Sequence, residues 1–139
     1  MLSLAVFGSV ARQTPRPDSD LDFLVVATNL PRGRMARVAE FEEVERRMEE
    51  ALAQAEHHGV HTFLSPVFKT PEELPWGSLL FWDMTEEAVI LYDPKGILSR
   101  HLAAVRERLA SLGARRIVRG TTRYWDLKPD YKPGEVFEL

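Results

Sequence analysis

Two carboxylates, Asp20 and Asp22, alternate with apolar residues at the start of the run 21–26, which has the composition of a buried β-strand. Side chains two positions apart in a strand project from the same face, so the pattern predicts that both carboxylates point the same way. Like charges so close together repel each other, and a hard cation between them removes that cost. Mg²⁺ is commonly held by one or two carboxylates together with the phosphates of a substrate. The pair therefore predicts a magnesium site.

The dipeptide Gly8-Ser9 ends the apolar run 4–7, and ten residues separate it from Asp20. Glycine allows backbone N–H groups to approach a phosphate closely, and the serine hydroxyl is a further donor. A short helix beginning at Ser9 or Val10 would direct its positive end at the same anion. A phosphate cradle beside a metal-binding carboxylate pair suits metal-assisted phosphoryl or nucleotidyl transfer.

The same residues also have a purely structural interpretation. Asp20 would then be a turn residue before a strand, Asp22 a solvent-facing residue on an edge strand, and Gly8 the end of the first strand. A Gly-Ser pair or an Asp-x-Asp pair alone has no predictive value. The combination of both, at this spacing and next to predicted strands, favours the functional interpretation.

Gly8-Ser9, ten intervening residues and Asp20-x-Asp22 resemble the nucleotidyltransferase signature of the DNA polymerase β superfamily. Residues 7–12 and 19–22 are most similar to its minimal, antitoxin-like members. The similarity is close over residues 4–26 and extends only to the order of elements over residues 27–95. It implies an α/β fold, a polymerase-β-like palm with a small mixed sheet and flanking helices. It also implies two-metal transfer of a nucleoside monophosphate from a nucleoside triphosphate, with ATP the expected donor.

The resemblance assigns roles to individual residues of this sequence. Asp20 and Asp22 would be catalytic and would hold Mg²⁺ ions that bridge the triphosphate. The residues expected to bind the nucleotide are Gly8, Ser9, Arg12 and Ser19. Gln13 stands where relatives often have glycine.

A third carboxylate of the family is expected on the strand predicted at about Val60–Phe68, which contains neither Asp nor Glu. Ser65 or Thr62 would stand in its place, unless an acid from elsewhere, such as Asp83 or Glu42, completes the site. The departure puts catalysis in doubt and leaves nucleotide binding as an expectation. Two classes of function therefore stay open. One is a Mg²⁺-dependent nucleotidyltransferase, and the other is a weakened nucleotide-binding or partner-binding protein.

The partner in the second class would be a helical, toxin-like protein, with this chain as the antitoxin half of a toxin–antitoxin pair. Three aromatic side chains, Trp76, Phe81 and Trp82, are predicted to pack in the core. In a partner-binding protein, the tryptophans Trp76, Trp82 and Trp125 would instead be candidate interface anchors.

Periodicity predicts a single domain over residues 1–139, with a core over about 1–95 and a C-terminal helix and tail over about 96–139. Strands are predicted at about Leu2–Phe7, Leu21–Ala27, Val60–Phe68 and Ala88–Tyr92, and helices at Arg34–His57, within 74–84 and from Ile97 to Gly113. The long helix should bury one stripe of apolar side chains: Val38, Phe41, Val44, Met48, Ala51, Leu52 and Ala55. Strand and helix both remain open for residues 114–127.

Composition adds weaker expectations. The chain has 139 residues, 45% hydrophobic content and a net charge of −3, which is ordinary for a globular protein with one core. It contains no cysteine, no apolar run of the roughly 20 residues that a membrane span needs and no basic leader, so we expect a cytoplasmic protein. Ten Lys or Arg residues lie within 95–132. They form either an anion-binding face or solvated charge, so a nucleic-acid contact stays open.

Overall fold

A four-stranded mixed sheet organises the chain in the computed structural model, which describes residues 1–138. The strands are β1 (Ser3–Val6), β2 (Leu21–Val26), β3 (Leu64–Lys69) and β4 (Val89–Tyr92), arranged in the order β3-β2-β1-β4. β1 is antiparallel to β2 and β4, whereas β2 and β3 are parallel. Parallel neighbours need a long crossover connection, and a helix between β2 and β3 supplies it.

Helices and a separate hairpin complete the fold. The helices are α1 (Gly8–Ala11), α2 (Arg34–His57), α3 (Leu79–Glu87) and α4 (Ile97–Ser111), with a 3₁₀ helix at Pro71–Trp76. β5 (Arg115–Arg119) and β6 (Thr122–Asp126) pair as an antiparallel hairpin. The segment for which strand and helix were both open is therefore a hairpin. The bounds of α2 confirm the sequence prediction, and the α/β class with a small mixed sheet and flanking helices is confirmed.

The buried core lies on one face of the sheet, under α3 and α4. It contains Ala5 of β1 and the alternating residues Leu24 and Val26 of β2. The other members are large apolar side chains on the helices: Leu74, Phe81, Met84, Leu98 and Leu102. Asp22 belongs to the same alternating set as Leu24 and Val26, so its side chain leaves the sheet on this face. The strand thus holds one carboxylate at the end of a dry, closely packed core.

α2 covers the opposite face of the sheet, but less completely than predicted. Phe41 is buried, with its ring centroid 5.5 Å from that of Phe23 and 5.6 Å from that of Phe68. The prediction that the whole apolar stripe of α2 is buried was wrong, since Val44 is 43% exposed. Val44, in the first half of α2, faces an open groove beside the sheet. The 24-residue helix is about 36 Å long and extends past six-residue strands of about 20 Å, so its second half, in which Ala51 is exposed, has little sheet to cover.

Two further sequence predictions need correction. β3 begins at Leu64 rather than near Val60, because the preceding residues bond to the loop before β2: His61 N–H donates to the Pro17 carbonyl at 2.8 Å. Trp76 is 78% exposed at the end of the 3₁₀ helix and is not a core residue, whereas Phe81 is buried as predicted. Among residues 1–138, no helix combines the length and apolar character needed to cross a membrane.

Candidate active site

The Asp22 carboxylate lies directly against the turn that follows β1. The chain passes from β1 through Phe7, whose N–H donates to the Asp22 carbonyl at 3.0 Å, into α1 at Gly8. Gly8 has φ of +74°, and a Cβ added to it would lie 2.5 Å from Oδ2 of Asp22. Only glycine permits both this left-handed backbone and so close a carboxylate. The sequence signature therefore meets in space at Gly8 and Asp22.

Asp20 and Ser65 are placed by their neighbours on the sheet. Asp20 is exposed and immediately precedes β2. Ser65 is opposite Asp22 in the parallel register between β2 and β3, so the two side chains leave the same face of the sheet. Thr62 lies outside β3 and donates its hydroxyl to the Ser19 carbonyl at 2.9 Å. Of the two candidates for the place of a third acid, Ser65 is the one beside Asp22.

No further carboxylate completes a three-acid site in the described chain. Within residues 1–138, no group of three or more His, Cys, Asp or Glu side chains is arranged to hold a metal ion. Asp83 accepts the indole N–H of Trp125 at 2.9 Å and pairs with Arg116 at 3.4 Å, while Glu42 is exposed on α2. The oxygen donors at the turn suit Mg²⁺, which takes its remaining ligands from phosphates and water.

Glu87, the last residue of α3, also contacts the turn, although no pattern in the sequence marks it as a site residue. One carboxylate oxygen accepts the Gly8 N–H at 3.3 Å and Nη1 of Arg12 at 3.0 Å, and the other accepts Nη2 of Arg116 at 2.9 Å. The Glu87 side chain is only 6% exposed, so the two guanidinium groups offset the cost of burying its charge. Glu87 is 79 residues from Gly8, and no local motif indicates a contact over that separation.

The two arginines beside Glu87 keep unused donors. Within the described residues, the Nε atoms of Arg12 and Arg116 are buried and have no hydrogen-bond partner. Burial lowers the pKa of the Arg116 guanidinium, but hydrogen bonds to Glu87 and Glu86 outweigh it, so the pKa is raised overall. Arg116 is therefore permanently charged. Of the two arginines, Arg12 is 26% exposed and bonds to Glu87 through Nη1 alone, so its Nη2 suits an anionic ligand at the Gly8 turn.

The two serines of the predicted site occupy different environments. Ser9 lies in the first turn of α1, where the Gly8 N–H donates to Glu87 but the N–H groups of Ser9 and Val10 have no acceptor within the helix and are available to an anion. The Ser19 hydroxyl accepts the Arg16 N–H at 2.8 Å, and its own N–H donates to the Arg16 carbonyl at 3.0 Å. Ser19 therefore shapes the loop that leads into Asp20.

Comparison with known proteins identifies the family. No curated protein sequence matches the chain. A crystal structure of a toxin–antitoxin with AMP-PNP is 15% identical, with 81% of this chain and 80% of that chain covered and a TM-score of 0.45. A crystal structure of a variant of the toxin–antitoxin MntA-HpeT is 14% identical over 81% and 79% of the two chains, with a TM-score of 0.46.

The sequence model of the nucleotidyltransferase domain matches residues 2–87. The matched region contains the Gly8 turn, both carboxylates before and within β2, and Glu87 as its last residue. Because the match covers more than half of the 139 residues, the chain belongs to the nucleotidyltransferase domain family.

Proposed function

We propose that this chain transfers a nucleoside monophosphate from a Mg²⁺-bound nucleoside triphosphate, with ATP the expected donor, to an acceptor hydroxyl. The observation that supports this most directly is the close approach of the Asp22 carboxylate to the Gly8 turn. A Cβ added to Gly8 would lie only 2.5 Å from Oδ2 of Asp22 and would block this approach. That approach brings a metal-binding oxygen and phosphate-binding N–H groups to one place. Membership in the nucleotidyltransferase domain family supports the same reaction class.

Each residue of the proposed site has a distinct task. Asp20 and Asp22 would hold Mg²⁺, which when bound neutralises phosphate charge and polarises the α-phosphate. The N–H groups of Ser9 and Val10 and the Ser9 hydroxyl would orient the triphosphate, since the Gly8 N–H is held by Glu87. Arg12 would donate its second terminal nitrogen, Nη2, to a phosphate oxygen and offset the charge that develops during transfer, since its side chain is 26% exposed and only Nη1 is bonded to Glu87. Ser19 would act by holding the loop that presents Asp20.

Ser65 limits the reaction that this site performs. It lies beside Asp22 in register and offers a hydroxyl where a third acid would supply a carboxylate. A serine hydroxyl is a weak base, so the proton of the acceptor hydroxyl has no strong base to receive it. We therefore propose that the isolated protein binds Mg·ATP measurably but transfers the nucleotide slowly to generic acceptors.

Transfer of label from α-³²P-ATP tests this function. Wild-type protein, with Mg²⁺ and with the proteins that co-purify with it, should label an acceptor slowly. Ser65→Asp should increase the rate, whereas Ser65→Asn, which is similar in size but uncharged, should not. Rapid labelling of a partner by the unmodified protein would disprove the account of slow transfer. If neither the wild-type protein nor any variant binds Mg·ATP, and none of them labels an acceptor, nucleotidyl transfer is disproved.

A second candidate function, binding of a helical toxin-like protein, is supported by exposed apolar surface. All four residues of β4 are exposed: Val89, Ile90, Leu91 and Tyr92 at 47%, 39%, 60% and 46%. An apolar groove of about 510 Å³ lies beside this strand, between the sheet and α2, and Leu91 lines it. Exposed apolar edge strands are uncommon because they invite association. Trp76, at 78% exposure, is a further candidate contact.

Co-purification separates the two functions. Coexpression with the protein encoded beside this chain should give a complex that survives size-exclusion chromatography if the surface of β4 binds that partner. Leu91→Glu should dissociate this complex, and Asp22→Asn should leave it intact. A complex that survives Leu91→Glu would exclude β4 as the interface. For both functions we propose a cytoplasmic location, in line with the absence of cysteine.

A further inference from the structure

We propose that Glu87 is a positioning residue that fixes the Gly8 turn and Arg12 for the nucleotide, and that Arg116 thereby makes the hairpin β5–β6 part of the nucleotide-binding unit. The inference rests on the proposed function, in which the turn and Arg12 bind the triphosphate. It extends that function in two ways, by adding a carboxylate that does not itself contact the ligand and by adding a segment outside the matched domain.

The contacts of Glu87 show how it restrains the turn. Its Oε1 accepts both the Gly8 N–H, at 3.3 Å, and Nη1 of Arg12, at 3.0 Å. Nη1 of Arg12 also lies 3.1 Å from Oε2, so the guanidinium is held by both oxygens. One buried carboxylate therefore fixes the backbone at the start of α1 and the side chain at its end, four residues later.

The contacts of Arg12 leave it able to bind a ligand while it is held. Arg12 donates to Glu87 through Nη1 alone, and its side chain is 26% exposed, so within the described residues Nη2 makes no hydrogen bond and stays accessible to a ligand. A guanidinium has five N–H donors in a rigid plane, so fixing one nitrogen orients the others. Glu87 thus orders the Arg12 side chain before a phosphate binds. Binding then costs less conformational entropy, which is how preorganisation increases affinity.

Arg116 connects this restraint to the C-terminal hairpin. It is 12% exposed and pairs with Glu87 at 2.9 Å, with Glu86 at 3.2 Å and with Asp83 at 3.4 Å, all on α3. Trp125, opposite Arg116 on the hairpin, donates to the same Asp83 at 2.9 Å. The domain match ends at Glu87, so the hairpin that holds Glu87 lies outside the matched region.

The neighbouring residue Glu86 provides a matched control. Glu86 precedes Glu87 on α3 and also accepts from Arg116, but its side chain is 50% exposed. Glu86 accepts a hydrogen bond from Arg116 of the hairpin, whereas the Gly8 N–H and Arg12 donate to Glu87. Glu86→Gln therefore removes the same charge from the same helix without touching the turn.

The experiment measures the turn and the ligand separately in the full-length chain. The ¹⁵N–¹H resonance of Gly8 in the absence of ligand reports the restraint of the turn, and calorimetry reports the affinity for Mg·ATP. Glu87→Gln should shift the Gly8 resonance and weaken Mg·ATP binding by about tenfold, the lower end of the effect found when a partner that orients a binding group is lost. Glu86→Gln should leave the Gly8 resonance in place and change the affinity by less than about twofold.

Other outcomes overturn the proposal. Unchanged or tighter Mg·ATP binding by Glu87→Gln would refute the positioning role of Glu87. Tighter binding would mean that Glu87 competes with phosphate for the turn. If Glu87→Gln does not fold, Arg116→Gln replaces it and should also shift the Gly8 resonance and weaken binding severalfold. An unmoved resonance with unchanged affinity in Arg116→Gln would refute the role of the hairpin. If wild-type protein does not bind Mg·ATP at all, the proposed function fails, while the Gly8 resonance still tests whether Glu87 restrains the turn.

Discussion

Two carboxylates with little exposure, Glu73 at 18% and Glu87 at 6%, pair with arginine in this protein, and their hydrogen bonding differs. Glu73, in the 3₁₀ helix, accepts Nη1 of Arg37 at 2.7 Å and Nη2 at 2.8 Å, and it also accepts the Thr70 N–H at 2.9 Å. The Nε of Arg37 donates to the Pro31 carbonyl at 2.8 Å. Every nitrogen of this guanidinium therefore has an acceptor within the protein.

The Glu87 cluster, which consists of Glu87, Arg12 and Arg116, in contrast leaves hydrogen-bond donors without acceptors. Arg12 and Arg116 both contact Glu87, but within residues 1–138 the Nε of each is buried without an acceptor. Buried polar atoms are nearly always satisfied, so each exception calls for an explanation. A fully satisfied pair such as Glu73–Arg37 joins elements of the fold, whereas Arg12 is 26% exposed and, within residues 1–138, bonds only through Nη1, so its Nη2 at the Gly8 turn is suited to a ligand. The predictions below test this distinction.

Gly8→Ala should have the largest effect. The added Cβ would meet Oδ2 of Asp22 at 2.5 Å, and alanine would also be strained at φ of +74°. Displacing the carboxylate by about 1 Å should slow nucleotide transfer by about 100-fold. Gly59→Ala, after the end of α2, is the matched control, since Gly59 has φ of +80° with no atom within 4 Å of an added Cβ. Equal loss of labelling in the two variants would show that backbone strain, and not the approach to Asp22, is responsible.

Glu73→Ala should destabilise the fold without affecting the nucleotide. It removes the capping box formed with Thr70 and leaves Arg37, at 12% exposure, without its ionic partner. We expect a loss of about 2 kcal/mol in the free energy of unfolding, measured by urea denaturation. Affinity for Mg·ATP should stay within about twofold of wild type, in contrast to Glu87→Gln. Glu72→Ala, on the exposed neighbour, should change neither quantity, and a loss of affinity in Glu73→Ala would remove the distinction between the two clusters.

Acid should weaken the satisfied contacts. The hydrogen bond from Arg37 lowers the pKa of Glu73 to about 2. Burial raises the pKa of Asp93, but hydrogen bonds from Ser99, Ser3 and Leu98 outweigh it and lower that pKa to about 2 as well. A carboxylate with a depressed pKa stabilises the fold above its unfolded pKa of about 4, and that stability is lost as pH falls towards the folded value.

The free energy of unfolding should therefore decrease from about pH 4.5 down to pH 2, in urea titrations at a series of pH values. Glu73→Gln should reduce the slope over this range, because one of the two groups no longer titrates. A slope identical to that of wild type would show that Glu73 contributes nothing to acid stability. Glu72→Gln, which changes an exposed side chain of the same helix, is the control and should keep the wild-type slope.

The smallest predicted effect is at Gln13, in the loop after α1. Gln13 has φ of +59°, a left-handed backbone that costs a residue with a side chain about 1 kcal/mol. Gln13→Gly should raise the free energy of unfolding by less than about 1 kcal/mol, since the greater freedom of glycine in the unfolded chain offsets part of the gain. Thr14→Gly, at the next position, should lower it. A loss of stability in Gln13→Gly would mean that the side chain itself is used.

Contacts close in sequence were predictable, and contacts between distant elements were not. The approach of Gly8 to Asp22 follows from two adjacent strands and a glycine turn, each with a local pattern. The exact bounds of α2 follow from its composition and helical spacing, but how much of its stripe is buried depends on the length of the sheet. Glu87 carries no signal because it resembles any exposed helix-end carboxylate. Only the packing of α3 against the turn and the hairpin brings it to Gly8 and Arg116.

The central claim is that the Asp22 carboxylate at the Gly8 turn binds the metal of a Mg²⁺–nucleotide complex. Calorimetric titration of ATP into wild-type protein and Asp22→Asn, with Mg²⁺ and with EDTA, tests it most directly. We expect wild-type binding that requires Mg²⁺ and is at least about tenfold weaker in Asp22→Asn, with thermal stability unchanged or improved because carboxylate repulsion is relieved. Equal, metal-independent binding by both proteins, or a large loss of stability in Asp22→Asn, would contradict the claim and make Asp22 a structural residue.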